Sequence, residues 1–211
     1  MISTNWISEV DSDEQPQALA IAPEEAGSAS DKDQVLQVNN RIYFYSEVKR
    51  AKILTLNKTL KNLEINLANR AGTLQTTHIG DIYLYINSYG GSVFAGLSAV
   101  DYIKNSEVPV TTIIDGCAAS AATMMSVVGP HRLMNEHAFM LIHQLSAGSW
   151  GKYEELKDNM SNNDLLMKTI KDIYTKHTKV PAKELSKMLK HDLWWDAKTC
   201  LKYGLVDEII T

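Results

Sequence analysis

From about residue 39 onward, short segments with the composition of strands alternate with longer segments in which apolar residues recur every three or four positions. Segments rich in β-branched and aromatic residues predict strands at 41–45, 81–86, 109–114, 138–142 and 205–210. A turn is predicted at Asp115-Gly116, directly after the third of these strands. Residues 69–79 contain Gly72 and several threonines and predict a loop.

Apolar residues spaced by three or four positions predict helices between these strands. The first helix is predicted to begin at an N-cap, Ser46, and the last to run from a capping Asp196 to Gly204. The others are predicted at 93–105, at 118–128, at about 152–177 and in a short segment that begins at Pro181. Strands that alternate with helices in this way predict an α/β fold of repeated βαβ units.

The N-terminal segment differs from the rest of the chain in composition. Residues 1–36 are rich in Glu, Asp, Ser, Ala, Gln and Pro and contain few large apolar side chains. The first 35 residues carry eight acidic and one basic side chain, a charge of −7, which leaves +3 for the rest of a chain whose net charge is −4. We therefore expect residues 1–36 to be disordered, or ordered only by a partner, and residues 37–211 to form one domain.

The composition argues against several kinds of partner and location. A body of small net charge gives no general reason to expect nucleic acid or an anionic membrane as a partner. Cys117 and Cys200 are too few for a disulfide framework and fit a reducing compartment. The sequence has no signal-peptide pattern and no run of about 20 apolar residues. We expect a soluble, cytoplasmic protein.

Two features suit acyl-transfer chemistry. Ser120 follows a glycine-containing turn at the start of an apolar helix, where free backbone N–H groups favour a developing oxyanion. Gly90 and Gly91 lie between a strand and a helix, where glycine lets a backbone N–H approach a ligand closely. A lone serine at such a place is more often an N-cap or a packing residue, and a lone Gly-Gly pair is more often a tight turn.

Two further residues could complete such a site. His143 ends an apolar strand, at the edge of a parallel sheet where ligands bind. Asp192 precedes Trp194-Trp195, and a carboxylate sheltered by indoles could orient a histidine. Taken alone, His143 could be a core histidine and Asp192 a surface residue. A metal site is disfavoured, because His131, His137 and His143 are six residues apart, which is about 20 Å in extended chain.

Four segments together resemble one known family. They are residues 81–91 (DIYLYINSYGG), 118–120 (AAS), 140–144 (MLIHQ) and 203–207 (YGLVD). Their sequence and order closely resemble the ClpP family, the proteolytic subunits of the caseinolytic Clp proteases. The resemblance extends over about residues 39–210.

The resemblance implies a serine endopeptidase with a Ser-His-Asp triad. Ser120 would be the nucleophile, His143 its general base and Asp192 the residue that orients His143. The backbone N–H groups of Gly91 and Ala121 would form the oxyanion hole. The implied fold is crotonase-like, a stack of βαβ units with a protruding handle helix at about 152–177.

The resemblance also implies an assembly. The chain would form two stacked heptameric rings, a tetradecamer, around a chamber that degrades peptides and unfolded proteins. An AAA+ unfoldase would feed these substrates, and the peptidase itself would need no metal and no cofactor.

The chain departs from the family pattern at several places. Tyr89 stands where the family usually has proline, residues 69–79 resemble an insertion, and 192–195 replace a more polar stretch. The acidic N-terminal segment stands where the family has the residues that form axial loops and help to dock the ATPase.

Two alternatives stay open at this point. One is a non-catalytic structural ring subunit, although Ser120, His143 and Asp192 are all present. The other is an acyl-CoA enzyme on the same fold, in which the serine and the histidine need not be paired. A membrane-anchored signal-peptide peptidase is disfavoured, because it would need an anchor.

Overall fold

The computed structural model of this chain describes residues 34–76 and 80–211. These residues form eight strands and six helices. The strands are β1 (Gln34–Val38), β2 (Arg41–Tyr45), β3 (Ile82–Ser88), β4 (Val110–Ala119), β5 (Arg132–Asn135), β6 (Phe139–Leu141), β7 (Trp194–Asp196) and β8 (Glu208–Ile210). The helices are α1 (Arg50–Thr73), α2 (Val93–Lys104), α3 (Ala121–Val127), α4 (Tyr153–His177), α5 (Ala182–Met188) and α6 (Ala197–Lys202).

The strands join in a single mixed sheet, and the predicted α/β class is confirmed. Six of them follow the order β1-β2-β3-β4-β5-β8, in which β1 is antiparallel to β2 and the other pairs are parallel. β6 pairs in parallel with β4, and β7 pairs antiparallel with β6. Helices therefore connect strands that run in the same direction, as expected for repeated βαβ units.

A single hydrophobic core lies between the sheet and its helices. β3 alternates between buried and partly exposed side chains, and Ile82, Leu84 and Ile86 face this core. The predicted apolar face of α1 packs there through Ile53, Leu56, Leu60 and Leu63. Helix α3 is buried along its whole length, so it lies in the middle of the domain.

β4 continues past the point where the sequence predicts a turn. Ile86 of β3 pairs with Ile114, and Ser88 pairs with Ala118, so three residues of β4 stand opposite the single residue Asn87. Asp115-Gly116 therefore forms a bulge inside β4, and the prediction of a turn there is wrong. Before the bulge β4 pairs with β5, and after it β4 pairs with β6.

Several predicted boundaries are also corrected. Ser46 is not an N-cap, because α1 begins at Arg50 and Lys49 occupies the N-cap position with an extended backbone. α1 also runs through Thr73 into the predicted loop at 69–79, of which residues 77–79 lie outside the described residues. The predicted helix at 118–128 is shorter, since residues 118 and 119 belong to β4. Asp196 caps α6 as predicted, and its carboxylate accepts a hydrogen bond from the N–H of Thr199 (2.9 Å).

The predicted boundary between an N-terminal segment and the folded domain falls inside a strand. β1 begins at Gln34 and pairs along its whole length with β2, from Gln34 opposite Tyr45 to Val38 opposite Arg41. The domain therefore includes residues 34–36. The rest of the predicted N-terminal segment, residues 1–33, lies outside the described residues.

α4 corresponds to the handle helix that the family resemblance implies at about 152–177. Its buried residues are Ile170 and Tyr174, both in its C-terminal half, and residues 153–169 include none. Met167 is partly buried against the core, so the part of α4 that extends away from it comprises residues 153–166, about 21 Å at the rise of an α-helix.

An arginine joins the C-terminal elements to the sheet. Arg132 of β5 donates two side-chain hydrogen bonds to Asp207 (2.5 and 2.9 Å). It also donates to the carbonyl oxygens of Gly204 (2.9 Å) and His177. The ends of α4 and α6 are thus held against β5 by one side chain. The hydrogen bonds and charge of Arg132 keep the pKa of Asp207 below its ordinary value.

We predict that Asp207→Asn lowers the free energy of unfolding at pH 7 by about 1–2 kcal/mol, because the Arg132 guanidinium loses its ionic partner. A lowered pKa means that this stabilisation is present above the ordinary carboxyl pKa of about 4 and is lost as the pH falls through the lowered value. Urea denaturation at several pH values between 7 and 3.5 would therefore show a deficit that shrinks in acid.

The matched control is Glu208→Gln, which neutralises the neighbouring, exposed carboxylate. It should leave stability within about 0.5 kcal/mol of the wild type. A deficit in Asp207→Asn that stays constant with pH would contradict the ionic explanation.

Candidate active site

Ser120 forms the junction between β4 and α3. Its backbone has φ 53° and ψ −126°, a left-handed conformation that is unusual for a residue with a side chain. Such a conformation costs about 1–3 kcal/mol and needs support from its surroundings. A sharp strand-to-helix turn of this kind presents a serine hydroxyl at the edge of a sheet.

Hydrogen bonds on both sides hold this turn in place. The N–H of Ser120 donates to the carbonyl oxygen of Leu141 in β6 (2.9 Å). The carbonyl oxygen of Ser120 accepts from the Thr123 hydroxyl (2.5 Å), which also lies 2.5 Å from the Tyr174 hydroxyl. Since the Thr123 proton points to Ser120, Tyr174 is the donor in the second bond. Burial raises the pKa of Tyr174, which keeps its phenol protonated for this role.

Glycine is required at position 90 because two backbones meet there. A Cβ on Gly90 would lie 2.6 Å from both the Cβ of Ser120 and the carbonyl oxygen of Ala119, and φ at this residue is +95°. The segment after β3 therefore packs directly against the Ser120 turn.

Gly91 is fixed by Val48, which precedes α1. The N–H of Val48 donates to the carbonyl oxygen of Gly90 (2.7 Å), and the N–H of Ser92 donates to the carbonyl oxygen of Val48 (2.8 Å). These two bonds flank Gly91, so the N–H of Gly91 points away from Val48. A Cβ at this position would lie 2.6 Å from the carbonyl oxygen of Val48.

Two backbone N–H groups are thus free on the walls of one cleft. Within residues 34–76 and 80–211, no hydrogen bond uses the N–H of Gly91 or of Ala121. The N–H of Ala121 is free because the first N–H groups of a helix have no partner inside it. Gly91, Ser120, Ala121 and His143 all line this cleft, whose volume is about 200 Å³. These two N–H groups could donate to an oxyanion formed at Ser120.

His143 and Asp192 meet across an antiparallel pair of strands. In β6 and β7, Phe139 stands opposite Asp196 and Leu141 opposite Trp194. Continuing this register by two residues brings His143 opposite Asp192. Nδ1 of His143 lies 2.9 Å from Oδ1 of Asp192, so the carboxylate can hold the imidazole with Nε2 free for a second partner.

The expectation that indoles shelter Asp192 is wrong. Its side chain is 77% exposed, and it does not line the cleft. Asp192 instead contacts His143 from the solvent side, and the hydrogen bond from the N–H of Gln144 to the carbonyl oxygen of Leu189 (2.7 Å) keeps the two segments together.

The structure places all the predicted site residues in one region. Ser120, His143, Gly91 and Ala121 share the cleft, and Asp192 contacts His143. Val93, Met124 and Ile170 give the same cleft an apolar side. No motif in the sequence marks the support from Thr123 and Val48, so the sequence does not predict it. Tyr174 lies in the helix predicted at about 152–177, and no motif marks its hydroxyl either.

Comparisons with known proteins show which proteins this chain resembles. A family model described as Clp protease matches residues 31–211. The ATP-dependent Clp protease proteolytic subunit of Streptococcus mutans serotype c is 40% identical over 134 residues, which are 62% of this chain and 68% of that protein. The subunit of the same name from Mesostigma viride is 32% identical over 181 residues, which are 82% of this chain and 78% of that protein.

The match to a third relative covers a smaller share of that protein. The ATP-dependent Clp protease proteolytic subunit of Deinococcus radiodurans is 35% identical over 132 residues, which are 62% of this chain and 65% of that protein.

Within the residues that the structure describes, no helix has an apolar stretch long enough to cross a bilayer. Among the same residues, no three His, Cys, Asp or Glu side chains are grouped so that they could hold a metal ion.

We predict that Gly90→Ala lowers the free energy of unfolding by about 2–3 kcal/mol, because a methyl group at this positive φ would collide with the Ser120 turn. Gly72→Ala is the matched control. It lies in the last turn of α1 with open space around it, and it should leave stability unchanged or raise it by up to about 1 kcal/mol. Equal effects of the two substitutions in urea denaturation would contradict the close packing at Gly90.

Proposed function

Because the chain belongs to the Clp protease family and has the function of a Clp protease proteolytic subunit, we propose that it is a serine-type endopeptidase. Ser120, His143 and Asp192 are its catalytic triad, and the N–H groups of Gly91 and Ala121 are its oxyanion hole. The observation that carries this proposal is that His143, held by Asp192 at 2.9 Å, shares a cleft with Ser120 and two free N–H groups.

In this mechanism the Ser120 hydroxyl attacks the carbonyl carbon of the peptide bond, and His143 accepts its proton at Nε2. The new C–O bond converts the carbonyl oxygen to an oxyanion, which accepts hydrogen bonds from Gly91 and Ala121. His143 then donates the proton to the leaving amine, and the acyl group stays on Ser120. Water activated by His143 hydrolyses this ester and restores the serine.

Asp192 has the role of orienting the base. By accepting a hydrogen bond from Nδ1–H of His143, it selects the tautomer in which Nε2 faces the nucleophile, and it stabilises the imidazolium that forms. Its exposure limits the strength of the pair, since exposed ion pairs contribute about 0–1 kcal/mol. The strand register of β6 and β7 therefore matters more for this geometry than the attraction of the charges.

We further propose that the subunits assemble with one another as two stacked heptameric rings. The support on this chain is the first part of α4, where Tyr153, Leu156 and Met160 are exposed on one face of a helix that leaves the core. Apolar side chains grouped on a projecting helix favour contact with another chain. Unfolded proteins and peptides would be degraded inside the rings.

An AAA+ unfoldase is the proposed partner of the rings. The relatives are named ATP-dependent protease subunits, and no nucleotide is needed for the chemistry at Ser120. The proposed location is the cytoplasm, which suits the two cysteines, since both are free thiols.

We predict that a fluorophosphonate forms one adduct with the assembled protein, and that Ser120→Ala and His143→Ala form none. The reagent reports a serine that is activated by a base and an oxyanion hole. Asp192→Asn should slow labelling by at least about 10²-fold, because the amide can donate a proton to Nδ1 of His143 and so favour the wrong tautomer of the imidazole. Intact-mass spectrometry would measure the adduct over time.

The matched control is His137→Ala, which removes an exposed histidine that is not part of the cleft and should be labelled like the wild type. Size-exclusion chromatography should show that His143→Ala keeps the assembly of the wild type. A fully assembled wild type that forms no adduct would support the alternative, a non-catalytic ring subunit.

A further inference from the structure

We propose that Tyr89 and Trp194 determine which residue the enzyme accepts immediately after the scissile bond, on the leaving-group side. This inference rests on the proposed function and assigns a substrate preference to the same site. The two rings meet edge to face with centroids 6.3 Å apart. Tyr89 is 75% exposed and Trp194 is 38% exposed, so the pair is open to a ligand.

The position of this pair follows from the sheet topology. Tyr89 directly follows β3, and Trp194 is the first residue of β7. In the sheet β3 pairs with β4, β4 with β6, and β6 with β7. At about 4.8 Å between neighbouring strands, the two backbones are about 14 Å apart. The two side chains therefore reach toward each other across the ends of β4 and β6, which lead to Ser120 and His143.

The chemistry of the triad identifies the side of the substrate that this pair can touch. His143 must protonate the leaving amine, so the leaving segment lies on the His143 side of Ser120. Trp194 is on that side, because it stands opposite Leu141, two residues before His143. Tyr89 also lines the cleft that contains Val93, Met124 and Ile170, whereas Trp194 does not. The apolar recess formed by those three residues can therefore hold a side chain of the acyl segment, with Trp194 beside the leaving segment.

An exposed aromatic pair selects for side chains with large apolar surfaces. Edge-to-face contact between aromatic rings is favourable in free energy, and both rings offer apolar surface to a ligand. Neither ring carries a charge that could pair with an acidic or basic side chain. We therefore expect phenylalanine or leucine to be favoured immediately after the scissile bond, and aspartate to be disfavoured.

The experiment uses peptides that differ only in the residue after the scissile bond, which is Phe, Leu, Ala or Asp. Leucine precedes the bond in every peptide, because the acyl-side recess is apolar. Competition among the peptides, followed by mass spectrometry, gives relative kcat/KM values for the assembled enzyme. The wild type should cleave the Phe peptide about tenfold faster than the Ala peptide, and Trp194→Ala should reduce this ratio to about threefold or less.

Two variants serve as matched controls. Trp194→Phe keeps an aromatic ring and should retain the preference. Tyr102→Ala removes an exposed aromatic side chain of α2 that lies nine residues, or about 13.5 Å along the helix, beyond Val93, and it should also retain the preference. An unchanged ratio in Trp194→Ala, or no preference in the wild type, would overturn the inference.

Labelling with a fluorophosphonate separates this inference from the proposed function. Its leaving group is fluoride, so it places no residue against Tyr89 or Trp194, and Trp194→Ala should be labelled at the wild-type rate. Equal slowing of labelling and of all peptides would show that Trp194 only supports His143, which would also overturn the inference. If the wild type itself is not labelled, the proposed function fails and this inference fails with it.

Discussion

The site depends on the change of partner that β4 makes at its bulge. Up to Ile114 this strand follows one register with β3 and pairs with β5, and from Cys117 it follows a shifted register and pairs with β6. Asp115, inside the bulge, accepts hydrogen bonds from Tyr45 of β2 and from Asn135 of β5. The bulge thus separates the part of the sheet that forms the core from the short strands that carry the site. Without the shift, Ser120 would not stand beside β6 and its hydrogen bond to Leu141 would be lost.

Much of this architecture can be predicted from the sequence because its signals are local. The composition and spacing of apolar residues predict β3, α2 and α4. Short motifs contain Ser120 and His143 and so identify them as candidate site residues. Asp192 lies outside these motifs and is predicted through the family resemblance, which does not tell why it contacts His143. That contact depends on the register of β6 and β7, two strands of three residues each, which are too short to give a periodic pattern.

The errors in the prediction have equally physical causes. Asp-Gly is a common turn sequence, and only the pairing of β4 with β6 shows that the chain continues as a strand. β1 follows an acidic segment and has no buried side chain, so its apolar content is too small to reveal it, yet its hydrogen bonds to β2 fix it in the sheet. The left-handed conformation of Ser120 has no signal in the residue type, because serine seldom adopts it.

The hydrogen bonds from Tyr174 through Thr123 to the carbonyl oxygen of Ser120 have a mechanical consequence. The C-terminal part of α4 is fixed on both sides of Tyr174, because Ile170 is buried in the core and Arg132 binds the carbonyl oxygen of His177. Tyr174 itself is buried as well, so its hydroxyl has a fixed position in the domain. The strained turn that carries the nucleophile is therefore supported from outside the sheet, by a helix whose other end extends away from the core.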